Sequence, residues 1–378
     1  MNFELTEDQI ALRDAARTFA QEVIVPVAAK YDRTGEFPAD VISKGFELGL
    51  MNLCVPAEYG GLGLSKVDQT LVVEELAAGC VGVATSMGAN DLALLPILIG
   101  GSPEQKERFV RPFTEKLRFA SFCLTEPGAG SDVAGMSTTA VRDGDHYVLN
   151  GSKMRITNGG VADQPTVFAT ADKAQGRKGI TCFVVEGRPE GLTIGAPEDK
   201  LGQRASNTVA LTFENVRVPV ENRIGEEGDG WRIAMTTLDF SRPMTAMFAG
   251  GGGRAAMEHA IAYAKERKQF GQPLAAFQAI QFMIADMATE LHAARLLTLE
   301  AASLVDKGKK STLVSSHAKR FAADTAMKVC TDAVQIFGGY GYSKEYPVEK
   351  LFRDAKLIQI YEGTSQIQRV VIARELVR

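Results

Sequence analysis

The spacing of apolar and polar residues changes twice along the chain. In the first part, apolar residues between Leu12 and Val23 recur at the spacing of one helix face. Thr6 and Gln9 precede them as a capping box, and Ser102-Pro103-Glu104-Gln105 repeats this pattern with proline at the first helical position. These signals predict an N-terminal helical domain over residues 1–116.

The second part, residues 117–226, has the short apolar runs and turn signals of β structure. The β-prone runs are 147–149, 153–157, 166–170, 180–185 and 208–213. They are separated by Asp143-Gly144, Asn150-Gly151 and Asn158-Gly159, which are strong hairpin signals. The pattern predicts a compact antiparallel β-barrel or sandwich.

Helical spacing returns over residues 227–378 and predicts a C-terminal four-helix bundle. The alanine-rich stretches 255–267 and 277–304 are apolar over wide arcs, as in packed bundles. Gly250-Gly251-Gly252-Gly253 is unusual there, because glycine is unfavourable inside a helix. It predicts either a bent helix or side-chain volume removed for a substrate. The order helices, strands, helices places the chain in the α+β class.

Composition narrows the possible functions. The chain has 378 residues with a net charge of −4, which gives no electrostatic reason to expect nucleic acid. Five scattered cysteines without a CxxC pair suggest a reducing compartment, and four dispersed histidines predict no metal site. We also expect no membrane span and, because the N-terminus lacks a signal-peptide pattern, a cytoplasmic protein.

Two segments are candidates for chemistry. Glu362 lies between apolar residues and a Gly-Thr step, where loss of water would push a carboxyl pKa toward the range of a base. The alternative is a solvated helix end. Thr125 to Asp132 is rich in glycine, but Pro127 and the short strands that follow exclude a dinucleotide-binding βαβ unit. Its free amides and hydroxyls suit a flavin or a phosphate, and the alternative is a tight turn.

Several long motifs together resemble those of the acyl-CoA dehydrogenase family, with medium- and short-chain members most similar. They are Leu124 to Asp132, Gly151 to Gly159, Arg267 to Gly271, Gln335 to Gly339 and Tyr361 to Thr364, in the family's order and at its spacings. The resemblance runs from about residue 3 to the C-terminus. It implies the family's helical, β-barrel and four-helix-bundle domains, which match the three regions above.

The resemblance implies FAD as cofactor, bound between the β domain and the C-terminal bundle, in a homotetramer. The residues implied to bind FAD include Thr125, Gly130, Ser131, Arg155, Thr157, Thr364 and Gln366. Those implied to reach FAD across a subunit interface are Arg267, Phe270, Gln278, Gln335 and Gly339.

The resemblance also implies a reaction on an acyl-CoA thioester. Glu362 would remove the pro-R α-proton while a β-hydride passes to flavin N5, giving a trans-2-enoyl-CoA and electrons for an electron-transferring flavoprotein. The backbone amide of Glu362 would stabilise the charge on the thioester oxygen. Implied substrate-binding residues are Ser131, Asp239, Arg242, Tyr361, Gly363, Ala84 and Gly88. Asp239 and Arg242 have a simpler alternative, an intrahelical pair at i, i+3.

The chain departs from the family pattern at two places. Arg155 stands where the family commonly has a flavin-side tryptophan, and Trp231, the only tryptophan, is not expected near it. Strand alternation places Arg155 on the polar side with Lys153 and Thr157. Either the guanidinium stacks on the flavin, or the flavin potential or the electron partner is altered.

Ala84 and Gly88 are small at the floor of the acyl pocket, where medium-chain members carry larger residues. They suggest a longer, branched or ring-bearing acyl group, or simply close helix packing. The alternatives left open are a dehydrogenase of cyclic, aromatic or dicarboxylic acyl-CoA, an acyl-CoA oxidase that uses oxygen, and a non-catalytic DNA-associated flavoprotein.

Overall fold

The computed structural model describes residues 4–377 and begins with a helical region. Its helices are α1 (Glu7–Phe19), α2 (Val25–Thr34), α3 (Ala39–Glu47), α4 (Lys66–Gly79), α5 (Val81–Gly100), α6 (Pro103–Phe109) and α7 (Pro112–Glu115), and a π-helical segment, Ala20–Ile24, joins α1 to α2. The backbone N–H of Gln9 donates to Thr6 Oγ1 over 3.2 Å, and Ser102 caps α6 in the same way. Both predicted capping boxes are confirmed.

The middle region is one eight-stranded sheet. Its strands are β1 (Ala120–Cys123), β2 (Thr139–Asp143), β3 (His146–Thr157), β4 (Gln164–Thr170), β5 (Ile180–Val184), β6 (Leu192–Ile194), β7 (Thr208–Pro219) and β8 (Arg223–Ile224). The order is β6-β7-β3-β2-β4-β5-β8, with β1 beside β4. The prediction of a purely antiparallel sheet is wrong in one respect, because β1 and β2 both pair with β4 in parallel. Parallel pairing requires a long connection, and the chain from β1 to β4 runs through the 124–138 segment and the β2–β3 hairpin.

One of the three predicted turns is not a turn. Asp143-Gly144 joins β2 to β3, whereas Asn150-Gly151 lies inside β3, where the register with β7 shifts between Leu149 and Gly151. Gly151 has φ 146°, and a Cβ there would lie 2.6 Å from Thr138 Cα. The sequence signal therefore marks a β-bulge against a neighbouring backbone.

The last region is helical. It contains α8 (Gly230–Glu266), a ribbon of β9 (Lys268–Gln269) and β10 (Gln272–Pro273), then α9 (Gln278–Asp306), α10 (Thr312–Phe337), α11 (Val348–Ile358) and α12 (Ser365–Leu376). Helix α10 is central and contacts α8, α9, α11 and α12. The α+β class and the order of helical, sheet and helical regions are confirmed. The limits of the three domains stay a prediction, and residues 1–3 and 378 within them lie outside the described range.

Helix α8 is continuous through the four-glycine run, and none of the four glycines lines the cavity that contains Glu362, so the run does not remove side-chain volume for a substrate there. A Cβ on Gly251 would lie 2.2 Å from the carbonyl oxygen of Glu74 in α4. Cβ atoms on Gly252 and Gly253 would each lie 2.8 Å from a side chain, of Val81 in α5 and of Leu291 in α9. The missing side chains therefore allow α8 to pack closely against three neighbouring helices.

Helix α5 lies at the centre of the protein. It is 20 residues long and, by length and composition alone, apolar enough to cross a membrane, but 78% of its 18-residue apolar window is buried inside the protein. Apolar residues of the N-terminal helices and of the C-terminal helices form one common core, which includes Ala84 and Met87 of α5. The two helical regions therefore pack as one body around α5.

Candidate active site

Glu362 lies in the turn between α11 and α12. Glu362 and Gly363 both have left-handed backbone conformations, with φ of 52° and 88°. Such a conformation is unfavourable for glutamate and persists only where surrounding contacts hold it. Gln368 Nε2 donates to the carbonyl oxygens of both residues, over 3.1 and 3.2 Å. A Cβ on Gly363 would lie 2.6 Å from the same Nε2 atom, so both its φ and its packing require glycine.

A buried lysine also holds this turn. Lys319 of α10 is 0% exposed, and its Nζ donates to the carbonyl oxygen of Gly363 over 2.7 Å. Burial lowers the pKa of Lys319 to about 8, with Arg242 acting in the same direction and Glu362 against it. Sequence reasoning missed both Lys319 and Gln368, because nothing in their local patterns shows that they face the turn.

The carboxylate of Glu362 faces a cavity of about 690 Å³. Its Oε2 accepts a hydrogen bond from Ser241 Oγ of α8 over 2.5 Å. Among residues 4–377, its Oε1 and its backbone N–H make no hydrogen bond. One acceptor and one donor of the same residue are therefore available to a ligand. Ser241 was also missed, although it directly precedes Arg242 in the sequence.

Asp239 and Arg242 line the cavity beside Glu362. Arg242 Nη1 donates to Asp239, and Thr312 Oγ1 donates to the other carboxylate oxygen of Asp239 over 2.6 Å. Asp239 and Arg242 therefore form the intrahelical pair and also line the cavity, so the two alternatives predicted for them do not exclude each other. Burial lowers the pKa of Arg242, while Asp239 and Glu362 favour its charged form. The buried Nε of Arg242 has no partner within residues 4–377.

Another wall of the cavity is rich in free hydrogen-bonding groups. It includes the predicted flavin residues Thr125, Gly130, Ser131, Arg155 and Thr157. The three hydroxyls, and the backbone amides of Gly130 and Ser131, make no hydrogen bond within residues 4–377. A Cβ on Gly130 would meet no atom within 4 Å, so this wall is open. Free donors on an open wall fit the polar edge of a flavin.

A buried ion pair fixes the glycine-rich loop of this wall. Glu126 accepts from Lys153 Nζ over 2.8 Å, and also from the backbone N–H groups of Ser137 and Thr138 over 2.6 and 3.0 Å. Burial of Glu126 favours its protonated form, but Lys153 and these donors outweigh that effect and lower its pKa to about 2. The loop is therefore rigidly attached to β3, although no motif indicated this pair.

The expected alternation at Arg155 is wrong. Lys153 is 0% exposed and points into the protein, whereas Arg155 is exposed on the cavity. The register of β3 against β7 shifts between Lys153 and Ile156, and Arg155 has φ 58°. A bulge thus breaks the two-residue period that the sequence argument assumed.

The expectation about Trp231 is also wrong, because Trp231 lines the same cavity as Arg155. The guanidinium of Arg177 lies 4.6 Å from the centre of its ring. At this separation a cation and an indole attract each other. The cavity lining therefore includes an indole ring beside Arg177, although Arg155 stands at the usual tryptophan position.

The two small residues of α5 have different surroundings. Gly88 lines the cavity, but Ala84 is 2% exposed and belongs to the core, so it is not a lining residue. A Cβ on Gly88 would lie 3.0 Å from Cζ of Phe248, which itself lines the cavity. The ring of Phe248 thus fills the space beside Gly88. The small residue accommodates this ring, which contradicts the expectation of extra room for the acyl group.

Most of the remaining predicted residues lie outside this cavity. Tyr361 and Gly363 do line it, whereas Thr364 caps α12 by accepting from the backbone N–H of Ile367 over 3.1 Å, and Gln366 is exposed. Arg267 and Gly339 line a second cavity of about 470 Å³. Exposed residues of the same predicted group are Phe270, which is 94% exposed, Gln278 and Gln335. Within one chain, this group is not brought to Glu362.

Sequence comparison identifies three family domains in the chain. It matches the N-terminal domain of acyl-CoA dehydrogenase over residues 6–116, the middle domain over 121–216 and the C-terminal domain over 228–377. A relative from Clostridium acetobutylicum, a short-chain-specific acyl-CoA dehydrogenase, is 45% identical over the full length of both chains. Together these matches cover all the regions that form the cavity.

Solved structures agree with this assignment. Butyryl-CoA dehydrogenase from Megasphaera elsdenii has a TM-score of 0.97 and 44% identity, with both chains fully covered. A chain from a study of the electron-transferring flavoprotein of Acidaminococcus fermentans has a TM-score of 0.98 and 46% identity, again with both chains fully covered. A more distant structure, an FAD complex of PigA, has a TM-score of 0.95 and 28% identity, and the alignment covers 100% of this chain and 99% of PigA. The chain therefore belongs to the acyl-CoA dehydrogenase family of flavoprotein oxidoreductases, which act on CH–CH bonds and use FAD as their cofactor.

Proposed function

We propose that this protein converts a short or compact acyl-CoA thioester into the trans-2-enoyl-CoA, with Glu362 as the α-proton base. The observation that carries this proposal is the position of Glu362. Its unpartnered Oε1 and N–H face the same cavity as the free donors of Thr125, Ser131 and Thr157. An acyl group in this cavity lies between the carboxylate and the wall that fits the flavin.

The chain supplies the proton-transfer half of the reaction. A carboxylate is too weak a base for an unactivated thioester α-proton, so the charge that develops on the thioester oxygen requires a hydrogen-bond donor. The free N–H of Glu362 is such a donor, and the hydrogen bond from Ser241 leaves Oε1 to receive the proton. FAD, when bound, supplies the acceptor for the β-hydride. The N–H and the carboxylate of Glu362 belong to one turn. The rate of the reaction therefore depends on how precisely this turn is positioned.

The acyl group is short or compact because an aromatic ring closes the pocket floor. Phe248 occupies the space beside Gly88 and is 5% exposed. Leu92 and Thr85 of α5 line the cavity with it. A longer straight chain would then meet this ring. The butyryl-CoA and short-chain relatives support the same substrate class.

An electron-transferring flavoprotein is the proposed electron acceptor, and a homotetramer the proposed assembly. The similar chain from the study of the Acidaminococcus fermentans electron-transferring flavoprotein supports the first proposal. Arg267, Gly339 and the 94%-exposed Phe270 support the second, because they lie away from Glu362 on an open surface. Light scattering should give four times the chain mass. Phe270→Asp should lower both this mass and the FAD content.

The reaction is tested by anaerobic bleaching of the flavin absorbance of the holoenzyme. Butyryl-CoA should bleach it rapidly, and octanoyl, cyclic, aromatic and dicarboxylic acyl-CoA slowly. Glu362→Gln should abolish bleaching while FAD and CoA-ester binding persist. Glu345→Gln, an exposed carboxylate outside the cavity, is the control. Bleaching by Glu362→Gln at the wild-type rate would exclude Glu362 as the base, and rapid reoxidation by oxygen would indicate an oxidase.

A further inference from the structure

Lys319 is a buried cation whose role the reaction above does not use. It is fully buried in α10, and within residues 4–377 its only hydrogen bond is the 2.7 Å contact from Nζ to the carbonyl oxygen of Gly363. Within residues 4–377, no carboxylate lies within ion-pair distance of this ammonium. Buried lysines are nearly always paired with a carboxylate. A lysine that instead binds one backbone oxygen beside Glu362 requires an explanation.

The hydrogen bonds at the turn show what this ammonium does. Glu362 and Gly363 are consecutive left-handed residues, so the turn depends on outside contacts. Three such contacts reach its carbonyl oxygens: one from Lys319 and two from Gln368 of α12. Only the contact from Lys319 involves a charged donor, and charged hydrogen bonds are roughly twice as strong as neutral ones.

The groups around Lys319 are few and can be named. Glu362 of the turn favours its charged form, as does Asp324 of its own helix, whereas Arg242 of α8 opposes it. Helix α12 presents the neutral amide of Gln368 to the same carbonyl oxygen, and Asp324 is itself bonded to Gln359, Ser365 and Arg369. Lys319 of α10 is thus the cation that hydrogen-bonds to the backbone of the turn in the described part of the chain.

We propose that Lys319 is the positioning residue of the catalytic turn: its ammonium, through the Gly363 carbonyl, holds the amide and the carboxylate of Glu362 in place for α-proton removal. This inference rests on the proposed function, in which Glu362 is the base. Loss of the charge weakens the strongest of the three contacts. The N–H and Oε1 of Glu362 then lose their common orientation, which lowers the rate of proton removal more than substrate affinity.

The pH dependence of the reaction follows from the burial of Lys319. Burial lowers its pKa to about 8, so the ammonium is present at neutral pH and is lost as the pH rises through that value. The rate of flavin reduction in the wild-type holoenzyme should therefore fall above about pH 8. A purely structural lysine would change stability but would not produce this step in the rate.

The test is single-turnover flavin reduction by butyryl-CoA, measured anaerobically from about pH 6 to about pH 10. Lys319→Met should lower the limiting rate about tenfold or more at neutral pH and abolish the step near pH 8, with KM changed much less. Lys319→Gln retains a neutral donor and should restore part of the rate without the step. Lys328→Met, in the same helix with a half-exposed ammonium, should leave rate and step unchanged.

The outcomes separate the two proposals. If Lys319→Met keeps the wild-type rate and the step near pH 8, while Glu362→Gln is inactive, the role of Lys319 is wrong and the proposed function stands. If Glu362→Gln reacts at the wild-type rate, the proposed function fails first. If Lys319→Met does not fold, the rate of Lys319→Gln and the pH profile of the wild-type rate test the role of Lys319. A wild-type rate that is constant from about pH 7 to about pH 9 would overturn the inference by itself.

Discussion

Ser241 Oγ lies 2.5 Å from Oε2 of Glu362, and this hydrogen bond joins helix α8 to the turn before α12. It leaves Oε1 as the oxygen that faces the cavity without a partner in the described chain. Ser241 is 3% exposed, so water does not readily replace its hydroxyl. The orientation of the base therefore depends on a residue that no motif identified.

Ser241→Ala should slow flavin reduction by about 10- to 100-fold, because a hydrogen bond to a charged acceptor is worth about 1.5–3 kcal/mol. The loss should be in the limiting rate, measured by anaerobic stopped-flow absorbance, with FAD content unchanged. Ser241→Thr, which keeps a hydroxyl, is the matched comparison. An unchanged rate in Ser241→Ala would mean that the turn alone orients Glu362.

Phe248→Ala should move substrate preference toward longer acyl chains. Its ring fills the space beside Gly88, so its removal opens the pocket floor. The ratio of kcat/KM for octanoyl-CoA to that for butyryl-CoA should rise about tenfold or more, since each buried methylene contributes about 0.8 kcal/mol. Because Phe→Ala in a core costs about 3–5 kcal/mol, Phe248→Leu is the milder companion variant. An unchanged ratio in both variants would show that the chain length is set elsewhere.

Removal of Lys153 should destabilise the protein by about 3–5 kcal/mol, because it leaves the carboxylate of Glu126 buried without its ion-pair partner. Denaturant unfolding of Lys153→Met should show this, and the double variant with Glu126→Gln should recover part of it. Glu126 has a pKa lowered to about 2, so its contribution to stability is complete above its ordinary value and is lost as the pH falls through about 2. If the double variant is no more stable than Lys153→Met alone, the pairing argument fails.

Adjacent glycines in α8 should respond in opposite directions to the same substitution. Gly251→Ala places a Cβ 2.2 Å from the Glu74 carbonyl oxygen and should cost about 1–3 kcal/mol of unfolding free energy or more. At Gly250 the nearest atom would be Met247 Sδ at 3.5 Å, an ordinary contact. Gly250→Ala should therefore stabilise the protein by about 0.5–1 kcal/mol. Equal effects in the two variants would argue against the close packing of α8 on α4.

Arg155→Trp should lower the reduction potential of the bound flavin. Arg155 is exposed on the cavity wall that fits the flavin, and a cation there favours the anionic reduced form. Redox titration of the two holoenzymes measures the difference directly. Identical potentials would mean that the guanidinium does not face the ring.

Local signals predicted the parts of the fold that depend on local contacts. The capping boxes at Thr6 and Ser102 and the Asp143-Gly144 hairpin need only neighbouring residues, and all three are present. The Asn150-Gly151 prediction failed because the reason for Gly151 is the Thr138 backbone, which belongs to another strand. The parallel pairing of β1 with β4 likewise depends on residues about 45 positions apart.

In the candidate site, too, the features with local sequence signals were predicted and those that depend on distant contacts were not. Motifs located the glycine-rich loop and the Glu362 turn, which the structure brings to one cavity. They did not reveal Ser241, Lys319 or Gln368, because a single polar residue in a helix gives no sign of what it will contact after folding. Ala84 was misplaced for a related reason. It lies one helical turn from Gly88, yet neighbouring helices bury it in the core while Gly88 faces the cavity.

Helix α5 also has a consequence for biosynthesis. Part of its apolar surface packs against α8, which is made much later. At about 5–20 residues per second, the ribosome completes α8 roughly 170 residues, or about 10 to 30 s, after α5. During that interval α5 can already pack against α4 and β1, but the surface that α8 will cover has no partner yet. The nascent chain therefore passes through an aggregation-prone stage that the finished protein does not show.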